Sequence, residues 1–123
     1  MTKEWNESQP IYLQLREQVV GCLMDGTFSE GEAVPSVRQV SSEYQINHLT
    51  VAKAYQELVD DGLLEKRRGL GMFVVEGARQ TLLQNEQKKF IDKELPDFAT
   101  RVKQLGLDID VVANQLAHMG ERV

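Results

Sequence analysis

The chain has 123 residues, a formal net charge of −5, 41% hydrophobic residues and 27% charged ones. These values fit one or two small folded domains, exclude a disordered chain and weigh mildly against nucleic acid as a partner, because lysine and arginine supply most of the affinity for DNA. The single cysteine excludes an internal disulfide bond. No apolar run reaches the ~18 residues of a transmembrane helix, and the polar start does not resemble a signal peptide, so we expect a cytoplasmic protein without a membrane partner.

The first predicted helix runs from about Pro10 to Asp25. Ser8 is a candidate N-cap, proline suits the first turn of a helix, and Gly26 follows as a stop. Apolar residues recur every fourth position and predict a core-facing stripe formed by Ile11, Leu15, Val19 and Leu23.

Two further helices are predicted on either side of a tight turn. The second begins after Ser36, which fits a capping box with Gln39, and it ends before Ile46. The third spans about 48–60, with Asn47 as its N-cap and Gly62 as its stop. The residues expected in the core are Val37, Val40, Tyr44, Val51, Tyr55, Leu58 and Val59, together with the aromatic Tyr12 and Phe73.

A β-hairpin is predicted next, from the β-compatible runs 63–67 and 72–75. The residues between them include Gly69 and Gly71, which tolerate the positive φ of a tight turn. Three helices followed by a hairpin is the order of a winged helix-turn-helix, in which the third helix enters the major groove of DNA. We therefore assign residues 1–76 to a DNA-binding head.

Residues 77–123 are predicted to form a helical tail. A heptad-like spacing predicts a dimerisation seam formed by Ile91, Leu95, Phe98, Val102 and Leu105. Pro96 lies inside this seam and should kink or break the helix, and Asp108 is a suitable cap for a last helix. The expected fold is mainly α with a small β-hairpin, namely a winged helix-turn-helix head followed by a two- to three-helix dimerisation tail.

The charge of the head has to be reconciled with DNA binding. Residues 1–76 hold seven Lys and Arg against twelve Asp and Glu, so the predicted DNA-binding half is the acidic one. However, Arg38, Lys53 and the run 66–68 fall on the elements that this fold turns toward DNA. We expect a narrow basic stripe on an otherwise acidic domain.

Four ordered motifs in the head resemble the GntR family of bacterial regulators. The segments 10–15, 33–40, 50–58 and 68–74 resemble the family patterns P-I-Y-x-Q-I, L-P-S-x-R-x-L, T-V-x-K-A-Y-x-x-L and R-G-x-G-T-F-V. The short helical tail is similar to the YtrA-like branch, in which the tail mainly dimerises. The resemblance implies a repressor that binds a pseudo-palindromic operator as a homodimer.

The residues that we expect to contact DNA lie on the second and third helices and on the hairpin. They are Ser36, Arg38, Asn47, His48, Leu49, Thr50, Lys53, Arg67, Arg68 and Gly69. The chain departs from the family pattern V-N-P-N-T at His48 and Leu49, where base edges are read. Leu49 suits a thymine methyl group, and His48 suits either a phosphate or a guanine.

Two other functions remain open at this stage. The acidic head is compatible with a winged helix that binds proteins instead of DNA, and a small enzyme or ligand carrier is a weaker alternative. The sequence has no phosphate-binding loop, nucleophile–base pair or metal-ligand cluster, so we expect no enzyme activity, no cofactor and no metal. Cys22 is expected to be an inert buried thiol. Nothing in the sequence identifies a small-molecule effector.

Overall fold

The computed structural model describes residues 1 and 4–121. In chain order the elements are α1 Ile11–Met24, α2 Val37–Tyr44, α3 His48–Asp60, β1 Leu64–Arg67, β2 Gly71–Val74, α4 Ala78–Lys89, a π-helical segment Phe90–Glu94, α5 Leu95–Gln104 and α6 Ile109–Gly120. The predicted fold class, mainly helical with one hairpin, is confirmed. The chain forms two compact units, Met1–Leu83 and Gln84–Val123. The division lies later than the predicted boundary after Glu76, because Ala78 and Leu82 of α4 are buried in the core of the first unit.

Helix α1 starts differently from the prediction. Pro10 is its N-cap residue and no side chain caps it, so the assignment of Ser8 as the cap is wrong; Ser8 bonds Asn6 instead. The segment before α1 is held by Gln14, which accepts from the amide of Asn6 at 2.9 Å and donates to the carbonyls of Asn6 and Gln9 at 2.8 Å each. This clasp gives the glutamine of the P-I-Y-x-Q motif a structural role.

Helices α2 and α3 begin where their caps predict. The Ser36 hydroxyl accepts from the amide of Gln39 at 3.0 Å, and the Gln39 side chain accepts from the amide of Ser36 at 2.8 Å, which completes the capping box. The side-chain oxygen of Asn47 accepts from the amide of Leu49 at 2.8 Å. Between the helices, Gln45 adopts a left-handed conformation with φ 53°. These three features fix the helix-turn-helix.

The core of the first unit lies where α3 packs against α1 and α2. Tyr55 is its largest fully buried side chain, while Tyr12, Val37, Tyr44 and Val59 pack against the core as half-buried residues. Ile11 is exposed and does not belong to the predicted stripe. The core residues contributed by the three helices are Leu15, Val19, Leu23, Val40, Val51, Ala54, Tyr55 and Leu58.

The hairpin carries a third, unpredicted extended segment. Strands β1 and β2 pair antiparallel from Leu64 opposite Val74 to Arg67 opposite Gly71. Residues 31–34, expected to be a simple connection, bond the other edge of β2. The amide of Gly31 donates to the carbonyl of Val74, and the amide of Val34 to the carbonyl of Met72, at 2.9 Å each. This β1–β2 hairpin, which is the wing of the fold, is therefore stabilised along one edge by the loop that follows α1.

In the second unit, Pro96 does not break the helix. The amide of Leu95 donates to the carbonyl of Phe90 across a π-helical turn, and Pro96 then occupies the first turn of α5, where a missing amide hydrogen costs little. Asp108 caps α6 as predicted. Within residues 1 and 4–121, no helix is long and apolar enough to cross a membrane.

Candidate nucleic-acid interface

Helix α3 presents one face to solvent from its first turn onward. Leu49, Lys53 and Gln56 are spaced by four and three residues, which places them on one side of the helix, opposite the buried Val51 and Tyr55. Leu49 is 67% exposed. An uncovered face that begins at the N-terminal turn is what a helix inserted into the major groove requires.

A groove of about 560 Å³ runs between α2 and the first turn of α3. It is lined by Val37, Arg38, Ser41, Ser42 and His48. The structure thus brings together Arg38 and His48, two of the predicted DNA-binding residues that lie on different helices. Within the described part of the chain, Arg38 forms no ion pair. An unpaired guanidinium beside hydroxyl groups is suited to a phosphate oxygen.

A second cleft, of about 320 Å³, separates α2 and α3 from the hairpin. It brings Ser36, Arg67 and Gly69, all predicted site residues, to one place. The cleft is also lined by Ala52 and Gln56 of α3. The sequence analysis did not predict these two residues as site residues, because it did not use their position on α3. The lining residues are Ser36, Val37, Ala52, Gln56, Lys66, Arg67, Gly69, Gly71 and Met72.

The tip of the hairpin offers cations and an exposed apolar side chain. Arg67 is partly neutralised, because it donates to Glu65 at 2.9 and 2.8 Å and stacks 4.1 Å from the ring centroid of Phe73. Arg68 is exposed, and Gly69 has φ 76°, a conformation that favours glycine. Leu70 is 71% exposed at this tip.

The remaining predicted contacts differ in how free they are. The ammonium of Lys53 sits 3.9 Å from the ring centroid of Tyr12 on α1. Asn47 uses its side-chain oxygen as the cap of α3, and Thr50 is half-buried. The structure therefore does not bring all ten residues into one cluster. It places Lys53 toward α1, whereas Arg67 and Gly69 lie on the hairpin.

The acidic residues at the C-terminal end of α3 form contacts with other side chains of the same chain. Arg16 of α1 donates to Asp61 and lies 3.6 Å from Glu57, while Asp60 accepts from Gln56 at 2.9 Å. Burial lowers the pKa of Arg16, but the neighbouring carboxylates raise it by more, so this cation stays charged. The N-terminal half of α3, where Lys53 lies, contains no Asp or Glu.

The second unit carries an extensive apolar surface. Of the five predicted seam residues, Val102 is only 4% exposed, so its side chain is covered within its own chain. Its carbonyl accepts from the amide of Leu107 at 3.1 Å. The other four are between 42% and 56% exposed, and they are Ile91, Leu95, Phe98 and Leu105. Exposed apolar residues continue on α6 with Ile109, Val111, Leu116 and Met119.

The described residues were compared with the requirements of a metal site. None of residues 1 and 4–121 join a group of three or more His, Cys, Asp or Glu side chains able to hold a metal ion. The buried residues in this part of the chain form the hydrophobic core, and they include Cys22 and Tyr55.

Comparison with known proteins identifies relatives of the whole chain and of its head. The family model of bacterial regulatory proteins of the gntR family matches residues 8–74. The HTH-type transcriptional repressor YtrA of Bacillus subtilis is 34% identical over 114 residues, which cover 93% of this chain and 82% of that protein.

Solved structures extend the likeness to the fold and to a DNA complex. A putative GntR-family regulator from Bacteroides thetaiotaomicron aligns with a TM-score of 0.76 and 27% identity, over 92% of this chain and 98% of that one. The DNA-binding domain of AraR, solved in complex with operator ORR3, aligns over 58% of this chain and 87% of that one, with a TM-score of 0.54 and 25% identity.

Proposed function

Since this chain belongs to the GntR family of bacterial regulators, in its YtrA-like branch, and is a DNA-binding transcription regulator, we propose that it is a repressor that binds a pseudo-palindromic operator as a homodimer. The predicted family resemblance is confirmed. The observation that carries the proposal is the uncovered face of α3 between two grooves that are lined by cations. The alternative of a winged helix that binds proteins only finds no support among these relatives.

The proposed complex places α3 in the major groove. Leu49, Lys53 and Gln56 then face the base edges, and Arg38 with His48 faces the phosphate backbone across the α2–α3 groove. The tip of the wing, with Arg68 and Gly69, reaches the flanking backbone or the minor groove. Repression follows from occupation of a promoter.

We assign DNA binding to the predicted head, residues 1–76, and dimerisation to the part of the predicted tail 77–123 that lies beyond the first compact unit, residues 84–123. The exposed Ile91, Leu95, Phe98 and Leu105 support the tail interface, because apolar surface of this extent is seldom left in water on a monomer. Two recognition helices in such a dimer lie about 34 Å apart, one turn of B-DNA. A repressor must meet chromosomal DNA, so we place the chain in the cytoplasm and assign it no catalytic step.

The test is selection of bound sequences from a random duplex library, followed by titration of the best duplex at several salt concentrations. We expect selected half-sites about one helical turn apart and an affinity that falls steeply as salt rises. Arg38→Ala should weaken binding to every duplex by roughly tenfold or more and reduce the salt dependence by about one ion.

The matched control is Arg101→Ala, which removes the same charge from an exposed position in the tail. It should bind like the unmodified protein. Absence of binding to any duplex at low salt would overturn the repressor and restore the protein-interaction alternative. Equal affinities for the two arginine variants would overturn the assignment of Arg38 alone.

A further inference from the structure

Leu49 is a large apolar side chain left in water on the first turn of α3. It is 67% exposed. Its amide donates to the side chain of Asn47 at 2.8 Å, so the backbone of this turn is fixed by the cap. The cap therefore fixes where the backbone of Leu49 lies on the recognition face.

His48 and Leu49 adjoin in sequence but lie on different sides of the helix. His48 lines the groove against α2 with Arg38, Ser41 and Ser42. An α-helix turns by about 100° per residue, so Leu49 points out of this groove, toward the same face as Lys53. The surroundings of His48, a guanidinium and hydroxyl groups, suit a phosphate. In the proposed complex, Leu49 is the one of these two residues that faces the bases.

A small apolar neighbour extends the patch. Ala52 follows Leu49 by three residues, which makes the two side chains neighbours on the helix surface. Ala52 is half-buried and lines the cleft toward the wing. Together they form a small apolar surface on the N-terminal half of α3, the part that the proposed complex inserts into the major groove.

We propose that Leu49, supported by Ala52, reads the C5-methyl group of a thymine at one fixed position of each half-site. This inference rests on the proposed function. The major groove displays donors, acceptors and one apolar group, the thymine methyl. A leucine placed against any other base edge would leave a donor or acceptor without water or a partner, which is unfavourable. The specificity is therefore for thymine over cytosine, and the methyl group carries it.

The experiment removes that methyl group alone. In the duplex obtained by selection, each thymine of one half-site is replaced in turn by deoxyuridine, and the affinities of the unmodified protein and of Leu49→Ala are compared. At one position we expect deoxyuridine to weaken binding of the unmodified protein roughly fourfold, which corresponds to one buried methyl group. Leu49→Ala should weaken binding to the thymine duplex by at least this factor and show no further loss with deoxyuridine.

His48→Ala is the matched control on the adjacent residue. It should weaken binding to all duplexes by the same factor and keep the full sensitivity to deoxyuridine. Because Leu49 is exposed, Leu49→Ala should keep the circular dichroism spectrum and melting temperature of the unmodified protein.

The outcomes separate this inference from the proposed function. If Leu49→Ala stays sensitive to the loss of the methyl group, or if no thymine of the half-site is sensitive in the unmodified protein, the reading by Leu49 is wrong while the repressor stands. If the unmodified protein binds no duplex, both are overturned.

Discussion

The hydroxyl of Tyr55 donates a 2.6 Å hydrogen bond to the carbonyl of Pro35. Tyr55 is a fully buried residue of α3, and Pro35 immediately precedes Ser36, the N-cap of α2. One buried side chain thus fixes where α2 begins relative to α3. The position of Arg38 against the recognition face depends on that bond.

Tyr55→Phe removes only the hydroxyl and leaves the Pro35 carbonyl without this donor. We expect the free energy of unfolding in urea to fall by about 1–2 kcal/mol. The affinity for DNA should also fall, by the same factor on every duplex. Tyr12→Phe, which removes a hydroxyl from a half-buried ring on α1, should stay within about 0.5 kcal/mol of the unmodified protein. Equal stabilities of the two variants would contradict the role of this bond.

The same tyrosine predicts a loss of stability at alkaline pH. Burial, with a smaller contribution from Tyr44, raises the pKa of Tyr55 well above its ordinary value. The folded state therefore keeps the proton at a pH where the unfolded chain releases it. The stability linked to this group is complete below the unfolded pKa of about 10 and is lost as the pH rises beyond it.

Comparison of the unmodified protein with Tyr55→Phe isolates this effect, since other titrating groups are common to both. The advantage of the unmodified protein in free energy of unfolding should shrink by about 1.4 kcal/mol between about pH 9 and about pH 11. Urea unfolding at the two pH values measures it. A difference that does not change with pH would show that Tyr55 does not titrate in this way.

The helix-turn-helix was predictable because its signals are local. Asn47 begins α3, Gly62 follows its end, and the pair Ser36–Gln39 begins α2, and each acts within four residues along the chain. Charge placement on Arg38 was predictable for the same reason, once the helices were assigned. Local signals of this kind do not depend on how distant segments pack.

The features that could not be predicted depend on distant contacts or on an unusual turn. The extended segment 31–34 is too short for an alternating pattern and forms only because β2 offers a free edge. Pro96 predicts an interrupted helix, but the π-helical turn before it absorbs the missing bond. The heptad spacing could not reveal that Val102 is covered within its own chain. The same spacing of apolar residues is expected whether the partner is another segment of the chain or a second copy. Gln56 was missed because its position on the exposed side of α3, three residues after Lys53, was not used.

The contact between Lys53 and Tyr12 predicts a positioning role for the ring. The ammonium lies 3.9 Å from the ring centroid, which holds Lys53 on the α1 side of the recognition face. Tyr12→Leu removes the ring and should weaken DNA binding by about twofold to fivefold, the value of an exposed cation–π contact. Tyr12→Phe keeps the ring and should bind like the unmodified protein in the same titration. Equal losses in both variants would assign the effect to the hydroxyl instead.

Cys22 is predicted to react slowly while the protein is folded. Burial raises the pKa of its thiol, with the amino terminus opposing this and Asp25 adding to it, so less of the reactive thiolate forms near neutral pH. Alkylation by iodoacetamide, followed by mass spectrometry, should be much slower in buffer than in urea at the same pH. Similar rates in both conditions would show that the thiol is accessible in the folded chain.

The tail interface can be tested by two residues of α5 that the heptad pattern treats alike and the structure separates. Phe98 is 45% exposed and Val102 is 4% exposed. Phe98→Glu places a charge on the surface and should yield a folded monomer in sedimentation velocity, with unchanged helical content by circular dichroism. Val102→Glu buries a charge and should unfold the tail, so it is unsuitable as a test of association.

Thr100→Glu is the matched control for Phe98→Glu, because it adds the same charge to the opposite, exposed side of α5. It should remain a dimer. On a duplex with two half-sites, the Phe98→Glu monomer should lose roughly 100-fold or more in affinity, since the second head no longer binds as part of the same molecule. On a duplex with a single half-site, its affinity should match that of the control. A Phe98→Glu protein that stays dimeric would move the interface away from α5.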